Sequence, residues 1–207
     1  MYLHLPSIPT RIISCPKTAD RIPTILAMLA RRGTTNIVVQ IGHDTTPYWL
    51  GLRDEMIKAL ATPCPALILQ DDATETPHYE ATLPDVPDHT EVLYLGTTEY
   101  SERIEQPNGW KTQQTNKHWP PLIFYPIHDR YVRIGNMHSA HAILFLQESA
   151  KAKFLKSLES PRPDDVSFAH AQLSSIVVAK RCPLYYQNDE RNKSTTQIGF
   201  PLEWDRD

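Results

Sequence analysis

The sequence predicts an α/β protein with a mainly parallel central sheet flanked by helices, folded as a single domain over residues 1–207. Three observations carry that expectation. Short β-branched runs alternate with segments of helical apolar spacing through the first third of the chain, and strand–helix–strand succession builds parallel sheets. The run Ala66-Leu67-Ile68-Leu69 holds no polar residue, as a strand buried on both faces should. A chain of 207 residues with 41% apolar and 22% charged residues is long enough to bury a core and reads as globular.

Arg11-Ile12-Ile13-Ser14 reads as the first strand, stopped by Cys15-Pro16. Asp20 is placed to cap a helix whose Pro23 suits the first turn. Ile22, Ile25, Leu26 and Leu29 then recur at i, i+3, i+4 and i+7, one apolar face. Arg31 and Arg32 suit the negative end of that helix, and Gly33 the left-handed residue that closes it. Asn36 to Ile41 is the second strand, and a helix after Pro47 places Trp49, Leu52, Met56 and Leu60 on one face. The Ala66–Leu69 strand then ends in Gln70-Asp71-Asp72. Ligands of such sheets sit at the carboxyl ends of the strands, so Ser14-Cys15-Pro16, Gly42-His43-Asp44 and Gln70-Asp71-Asp72 are expected to converge.

The second half is less regular. Val92 to Gly96 reads as a strand, residues 97–122 as a long polar surface loop, and Val132–Ile134 and Ala142–Leu146 as strands around His138-Ser139-Ala140-His141. A helix is expected from about Gln147 to Leu158, and another from Asp164 or Asp165 to roughly Leu173. Ser175 to Ala179 reads as the last strand, and residues 187–207 as an extended tail.

Several classes drop out. The seven glycines form no GxGxxG, no GxxxxGK[ST] and no GxSxG, which removes glycine-rich phosphate loops and the nucleophile elbow. Any phosphate bound here must be neutralised by a metal ion or basic side chains. No apolar run approaches the roughly 20 residues of a membrane helix, so no membrane span is expected, and Met1 to Pro16 lacks the pattern of a signal peptide. Three scattered cysteines, Cys15, Cys64 and Cys182, suit reduced thiols and a cytoplasmic setting, host cytoplasm if the protein is viral. Net charge is −3, yet residues 61–110 carry one Lys/Arg against ten Asp/Glu. A general polyanion binder would be more basic.

Paired acids at a strand end are a common way to hold a divalent cation beside phosphate, and Asp in a loop is equally ordinary turn chemistry. Asp164 and Asp165 are candidates for a general base, with simple helix capping as the alternative; an acid at a helix start should keep a low pKa. His138 and His141 share a face only if helical, so a zinc pair is disfavoured. Trp49 and Tyr94 read first as core residues, Tyr94 with its hydroxyl hydrogen-bonded.

Six stretches in order resemble one family. They are Arg11–Arg21 with its following helix, Ala66–Ala73 ending in Asp-Asp-Ala, Leu93-Tyr94-Leu95-Gly96, His138-Ser139-Ala140-His141-Ala142-Ile143, Pro163-Asp164-Asp165 and Pro183-Leu184-Tyr185-Tyr186-Gln187. Together they span roughly residues 11–196. The chain resembles nucleotide-sugar glycosyltransferases of the GT-A fold, a Rossmann-like architecture, and within them the lipooligosaccharide and collagen galactosyltransferase-like family (family 25 type). The resemblance implies that Ser14 and Pro16 line the nucleotide pocket, that Arg21 lies near the diphosphate, and that Gly42 and Asp44 lie near the base. It implies that Asp72, with Asp71, holds Mn²⁺ or Mg²⁺ across the diphosphate of a sugar nucleotide such as a UDP-sugar. His138, Ser139 and His141 would shape the sugar and acceptor site, and Asp164 or Asp165 would deprotonate the acceptor hydroxyl. The chain departs from the family's Glu-Asp-Asp in carrying Gln70, which puts the strength of metal dependence in question.

Three functions follow. The first is transfer of a hexose from a nucleotide sugar to a glycan or small hydroxylated acceptor, with the two acid pairs in separate places. The second aims the same chemistry at a hydroxylated base in DNA, as in some viral base-modifying enzymes. Its support is the mixture of Trp110, Trp119, Phe124, Tyr125 and Tyr131 with Lys111, Lys117, Arg130 and Arg133. The third is a catalytically inactive protein that only binds sugar nucleotide or glycan.

Overall fold

The computed structural model describes residues 1–102, 105–189, 194–196 and 198–206. The first third holds β1 (Leu3–His4), β2 (Thr10–Ser14), α1 (Ile22–Arg31), β3 (Ile37–Ile41), α2 (Trp49–Leu60) and β4 (Ala66–Gln70). Six strands follow: β5 (Ala73–Glu75), β6 (Thr82–Leu83), β7 (Val92–Tyr94), β8 (Lys111–Gln113), β9 (Leu122–His128) and β10 (Tyr131–Gly135). The chain continues through β11 (Ala142–Phe145), α3 (Glu148–Ser157), α4 (Asp164–Gln172), β12 (Val177–Lys180), β13 (Tyr185–Asp189) and β14 (Ser194–Thr196).

The first strands pair as their pattern predicts, β2 lying parallel to both β3 and β4. A 3₁₀ turn over Pro16–Arg21 precedes α1, so Arg21 rather than Asp20 occupies the cap position, and it makes no side-chain capping bond. Gly33 ends the helix segment with φ +78°, the left-handed conformation expected of it.

The expectation of a mainly parallel, Rossmann-like sheet does not hold. Among the described residues the central sheet has nine strands in the order β3-β2-β4-β11-β7-β12-β10-β9-β8. Its parallel junctions are β3–β2, β2–β4 and β7–β12. The other five, β4–β11, β11–β7, β12–β10, β10–β9 and β9–β8, are antiparallel. The fold is therefore a mixed α/β sheet, mostly antiparallel, with four α-helices among the described residues.

The cause is the length of the connections. Parallel neighbours need a crossover of about a dozen residues or more, usually a helix. Asp129-Arg130 alone joins β9 to β10, and so short a link can only fold the chain back on itself. Two strands here escape the sequence pattern. β8 lies inside the segment expected to be loop, and Pro126 interrupts the apolar run of β9. Pro126 is accommodated opposite Val132, next to a register shift between Tyr131 and Val132, where a missing N–H is tolerated.

Alternation along the strands divides the core between two faces. Ile13, Ile68, Tyr94, Ile143 and Phe145 pack with Met56 of α2, Phe154 of α3 and Phe168 of α4. Ile12, Leu67, Leu69, Leu93 and Leu144 pack with Ile25, Met28 and Leu29 of α1. The segment expected as an extended tail is docked where it is described. Buried Arg181 donates to the carbonyls of Phe200 and Pro201 at 2.9 and 3.3 Å and pairs with Asp205 at 2.5 Å. The rings of Phe200 and Trp204 then lie 5.4 and 6.0 Å from Phe124.

The Phe154 ring sits 5.2 Å from Phe145 and 4.9 Å from Phe168, tying α3 and α4 to the sheet. Phe154→Ala should lower stability by about 3–5 kcal/mol in a denaturant titration. A loss below about 1 kcal/mol would show that this cluster does not hold the helices in place.

Candidate functional site

The ends of β2 and β4 lie side by side, with β11 beginning next to them, and the acid pair is fixed there by its backbone first. The Asp71 amide donates to the Ile13 carbonyl at 3.0 Å, and the Gln70 amide to that of His141 at 3.0 Å. The Asn188 amide reaches the Asp72 carbonyl at 2.9 Å. The side chains are then claimed by neighbours. Asp71 Oδ2 accepts the hydroxyls of Ser14 and Thr18, each at 2.5 Å. Arg21 Nη1 stands 3.8 Å from Asp71 Oδ1 and 3.9 Å from Asp72 Oδ2. Gln187 Nε2 donates to Asp72 Oδ2 at 3.0 Å, while Asp72 Oδ1 is buried with no hydrogen-bond partner.

Burial dominates the electrostatics. It raises the Asp71 carboxyl against the pull of the two hydroxyls and Arg21. It pushes Asp72 up to about 6, with the charge of Asp71 adding to the effect and the Gln187 bond opposing it.

These acids open into a cavity of about 840 Å³. Lys17, Thr18 and Arg21 of the 3₁₀ turn line one side, together with Tyr48 and Trp49 at the start of α2. Asp164 and Asp165 at the start of α4 line another. Tyr100, Glu102, Trp119, His138 and Ser139 form a further wall. The two acid pairs thus share one cavity rather than occupying separate places.

Asp164 is buried, and its carboxyl is raised well above the ordinary range, first by burial and then by the charge of Asp165. The helix start does not keep it low, because desolvation outweighs the half-charge of a helix N-terminus. Asp165 is less buried, and its Oδ1 accepts the Val166 amide at 2.8 Å. Gln70 spans the pairs, its Nε2 lying 3.4 Å from Asp164 Oδ2. A glutamate there would set another carboxylate against an acid already held up by burial.

The His138–His141 segment divides between surface and support. His138 lines the cavity, with Nε2 2.9 Å from Glu102 Oε1. Ser139 donates to the Gly96 carbonyl at 3.1 Å and lies 3.2 Å from His141 Nδ1. His141 is fully buried against Gly96, whose missing side chain leaves room for the imidazole, and burial lowers its pKa to about 4. His141 does not line the cavity.

Of the remaining expected residues, Ser14 acts from behind Asp71, and Pro16 opens the 3₁₀ turn without lining the cavity. Gly42 packs against α2, where a Cβ would lie 2.6 Å from the Gly51 carbonyl oxygen. Asp44 is exposed and pairs with Lys17 at 3.6 Å. Trp49, read as core, is half-buried and lines the cavity. Tyr94 is core as expected, its hydroxyl accepting from Gln172 Nε2 at 3.1 Å. Gln172 also grips Met137 in both directions, at 2.7 and 2.9 Å.

Sequence reasoning missed Thr18, Tyr48, Glu102 and Gln187. Thr18 had a signal, lying one turn beyond the first strand; Gln187 closes the last of the six stretches, but it is the pairing of β13 with β5 that brings it beside Asp72. The aromatic and basic residues of 110–133 are divided, with exposed Tyr125 opposite Arg133 across β9 and β10. Phe124 and Tyr131 are buried, Trp119 lines the cavity, and Trp110 lies under the Arg133 guanidinium at 5.3 Å.

Among the described residues no three His, Cys, Asp or Glu side chains converge to hold a metal by themselves. The free Oδ1 of Asp72 does fit a divalent cation whose other ligands come from a bound phosphate. No described helix is long and apolar enough to cross a membrane. No family model matches the sequence, and no curated protein is significantly similar to it.

An acid whose folded pKa lies above its unfolded value costs stability as pH rises from the unfolded value to the folded one, and the deficit stays constant above that. For Asp72 the window runs from the ordinary carboxylate range to about 6. Asp72→Asn should therefore stabilise the protein by on the order of 1–3 kcal/mol at pH 8, with the gain shrinking towards pH 4. Denaturant midpoints at the two pH values check this, and an equal gain at both would refute it.

Proposed function

We infer that this chain is a nucleotide-sugar-dependent glycosyltransferase that transfers a hexose to an acceptor hydroxyl. The observation that carries the reading is one cavity lined by two acid pairs, with Lys17 and Arg21 beside the first. The order of motifs resembling the lipooligosaccharide and collagen galactosyltransferase-like family adds to it.

Each residue has work to do in that reaction. Sugar transfer passes through an oxocarbenium-like transition state, with negative charge growing on the departing diphosphate. Lys17 and Arg21 meet that charge, and the flat rings of Tyr48 and Trp49 offer a surface to the nucleotide base. Asp72 is the residue that would hold Mn²⁺ or Mg²⁺, which supplies further neutralisation of the leaving group. Ser14, Thr18 and Gln187 keep the acid pair oriented. Across the cavity, Asp165 takes the proton of the incoming hydroxyl. Asp164, with its carboxyl held up, spares its neighbour a second adjacent charge.

Thermal melting with UDP-, GDP- and CMP-sugars, with and without Mn²⁺, tests the donor directly. One nucleotide class should raise the melting temperature and be slowly hydrolysed. Silence from every sugar nucleotide in both metal conditions would remove the reading.

Asp165→Asn should cut transfer by about 10²–10⁴-fold while the donor still shifts the melting temperature.

A further inference from the structure

The donor chemistry above uses no residue of the wall formed by Tyr100, Glu102, Trp119 and His138. Its aromatic rings are set at angles to one another. Tyr100 meets Trp119 edge-on at 4.9 Å, His138 meets Trp119 at 5.9 Å, and Trp119 keeps 37% of its surface exposed. Beneath them Glu102 Oε1 accepts from His138 Nε2 at 2.9 Å, and Glu102 Oε2 lies 3.7 Å from His170 Nε2.

The backbone builds this wall firmly. His138 N–H donates to the Tyr100 carbonyl at 2.9 Å, and Glu102 N–H to that of Asn136 at 3.0 Å. Asn136 takes a left-handed φ of 60° to make the turn, and its amide donates back to the Glu102 carbonyl at 2.8 Å. Ser101 pairs with Met137, the residue gripped by Gln172 of α4.

We propose that this wall is the acceptor subsite, and that it takes an uncharged polyhydroxylated ring, a sugar, rather than nucleic acid. The proposal rests on the glycosyltransferase reading for its chemistry and on the wall itself for its specificity. Among the described residues lining the cavity, the cations are Lys17 and Arg21, both on the turn beside Asp71. Asp71, Asp72, Glu102, Asp164 and Asp165 supply five carboxylates. A nucleic-acid strand gains its affinity by placing phosphates against Lys and Arg, and here its path would meet Glu102 instead. A pyranose needs the opposite equipment: an aromatic face for its C–H surface and a carboxylate acceptor for its hydroxyls. Trp119 and Glu102 provide the two. In the transfer, the acceptor oxygen bonds to the anomeric carbon as its bond to the diphosphate breaks. The leaving group keeps the electron pair, and the hydroxyl proton passes to Asp165.

Saturation-transfer NMR on the intact chain tests the subsite without any donor. The probes are the methyl glycosides of glucose and galactose, and a single-stranded oligonucleotide bearing 5-hydroxymethylpyrimidine, at physiological salt. At least one glycoside should bind, and Trp119→Ala and the near-isosteric Glu102→Gln should each weaken it at least tenfold with melting temperature preserved. The oligonucleotide should show no transfer. Binding of the oligonucleotide, failure of both glycosides, or indifference to both substitutions would each overturn the proposal. Glycoside binding that depends on Trp119 while no sugar nucleotide shifts the melting temperature would sink the donor reading and leave the sugar subsite standing.

Discussion

The desolvation of two adjacent carboxylates is the constraint around which the site is arranged. Removing a charge from water is expensive unless donors replace the lost solvent. Asp71 finds hydroxyl donors on β2 and on the turn after it, and Asp72 finds an amide on β13, more than a hundred residues further along. Three chain segments therefore meet at the end of β4 because the acids there need them. The compensation is incomplete, since both carboxyls remain raised and one oxygen of Asp72 has no partner. Residual cost of this kind collects where a ligand is meant to complete the set of interactions.

The second acid pair belongs to the same arrangement through α4. That helix presents Asp164 and Asp165 at its start, and near its end Gln172 holds the backbone of Met137. One rigid element thus sets the candidate base and the neighbouring wall of Tyr100, Glu102 and His138 in fixed relation. Gln70 links this element to β4. Its neutral amide suits a position facing a protonatable acid.

What was legible in the sequence follows from the range of the interactions involved. The first strands are short apolar or β-branched runs and the first helices repeat at a period of 3.6, so local pattern suffices, and their parallel pairing came with it. The acid pair was visible because it interrupts an apolar run, and Asp164 and Asp165 because they open a helix. In the second half β7, β10, β11 and β12 were legible as apolar runs, but their antiparallel pairing was not. Pro126 hides β9, and the short Asp129-Arg130 link that reverses the chain has no glycine to mark it. Glu102 and Gln187 reach the cavity through pairings between distant segments, and no spacing within the chain encodes those.

The clasp of Arg181 on the segment from Phe200 to Asp205 bears on how the molecule reaches this state. Phe124 in β9 is covered by Phe200 and Trp204, so a strand near the middle of the chain has its apolar face closed by residues some eighty positions later. Closing so long a loop costs entropy before any contact repays it. High contact order of this kind slows folding. The covering of Phe124 by Phe200 and Trp204 therefore belongs to a late step in folding, although the β9–β10 hairpin is itself local, and before that step the uncovered ring is open to association with other chains.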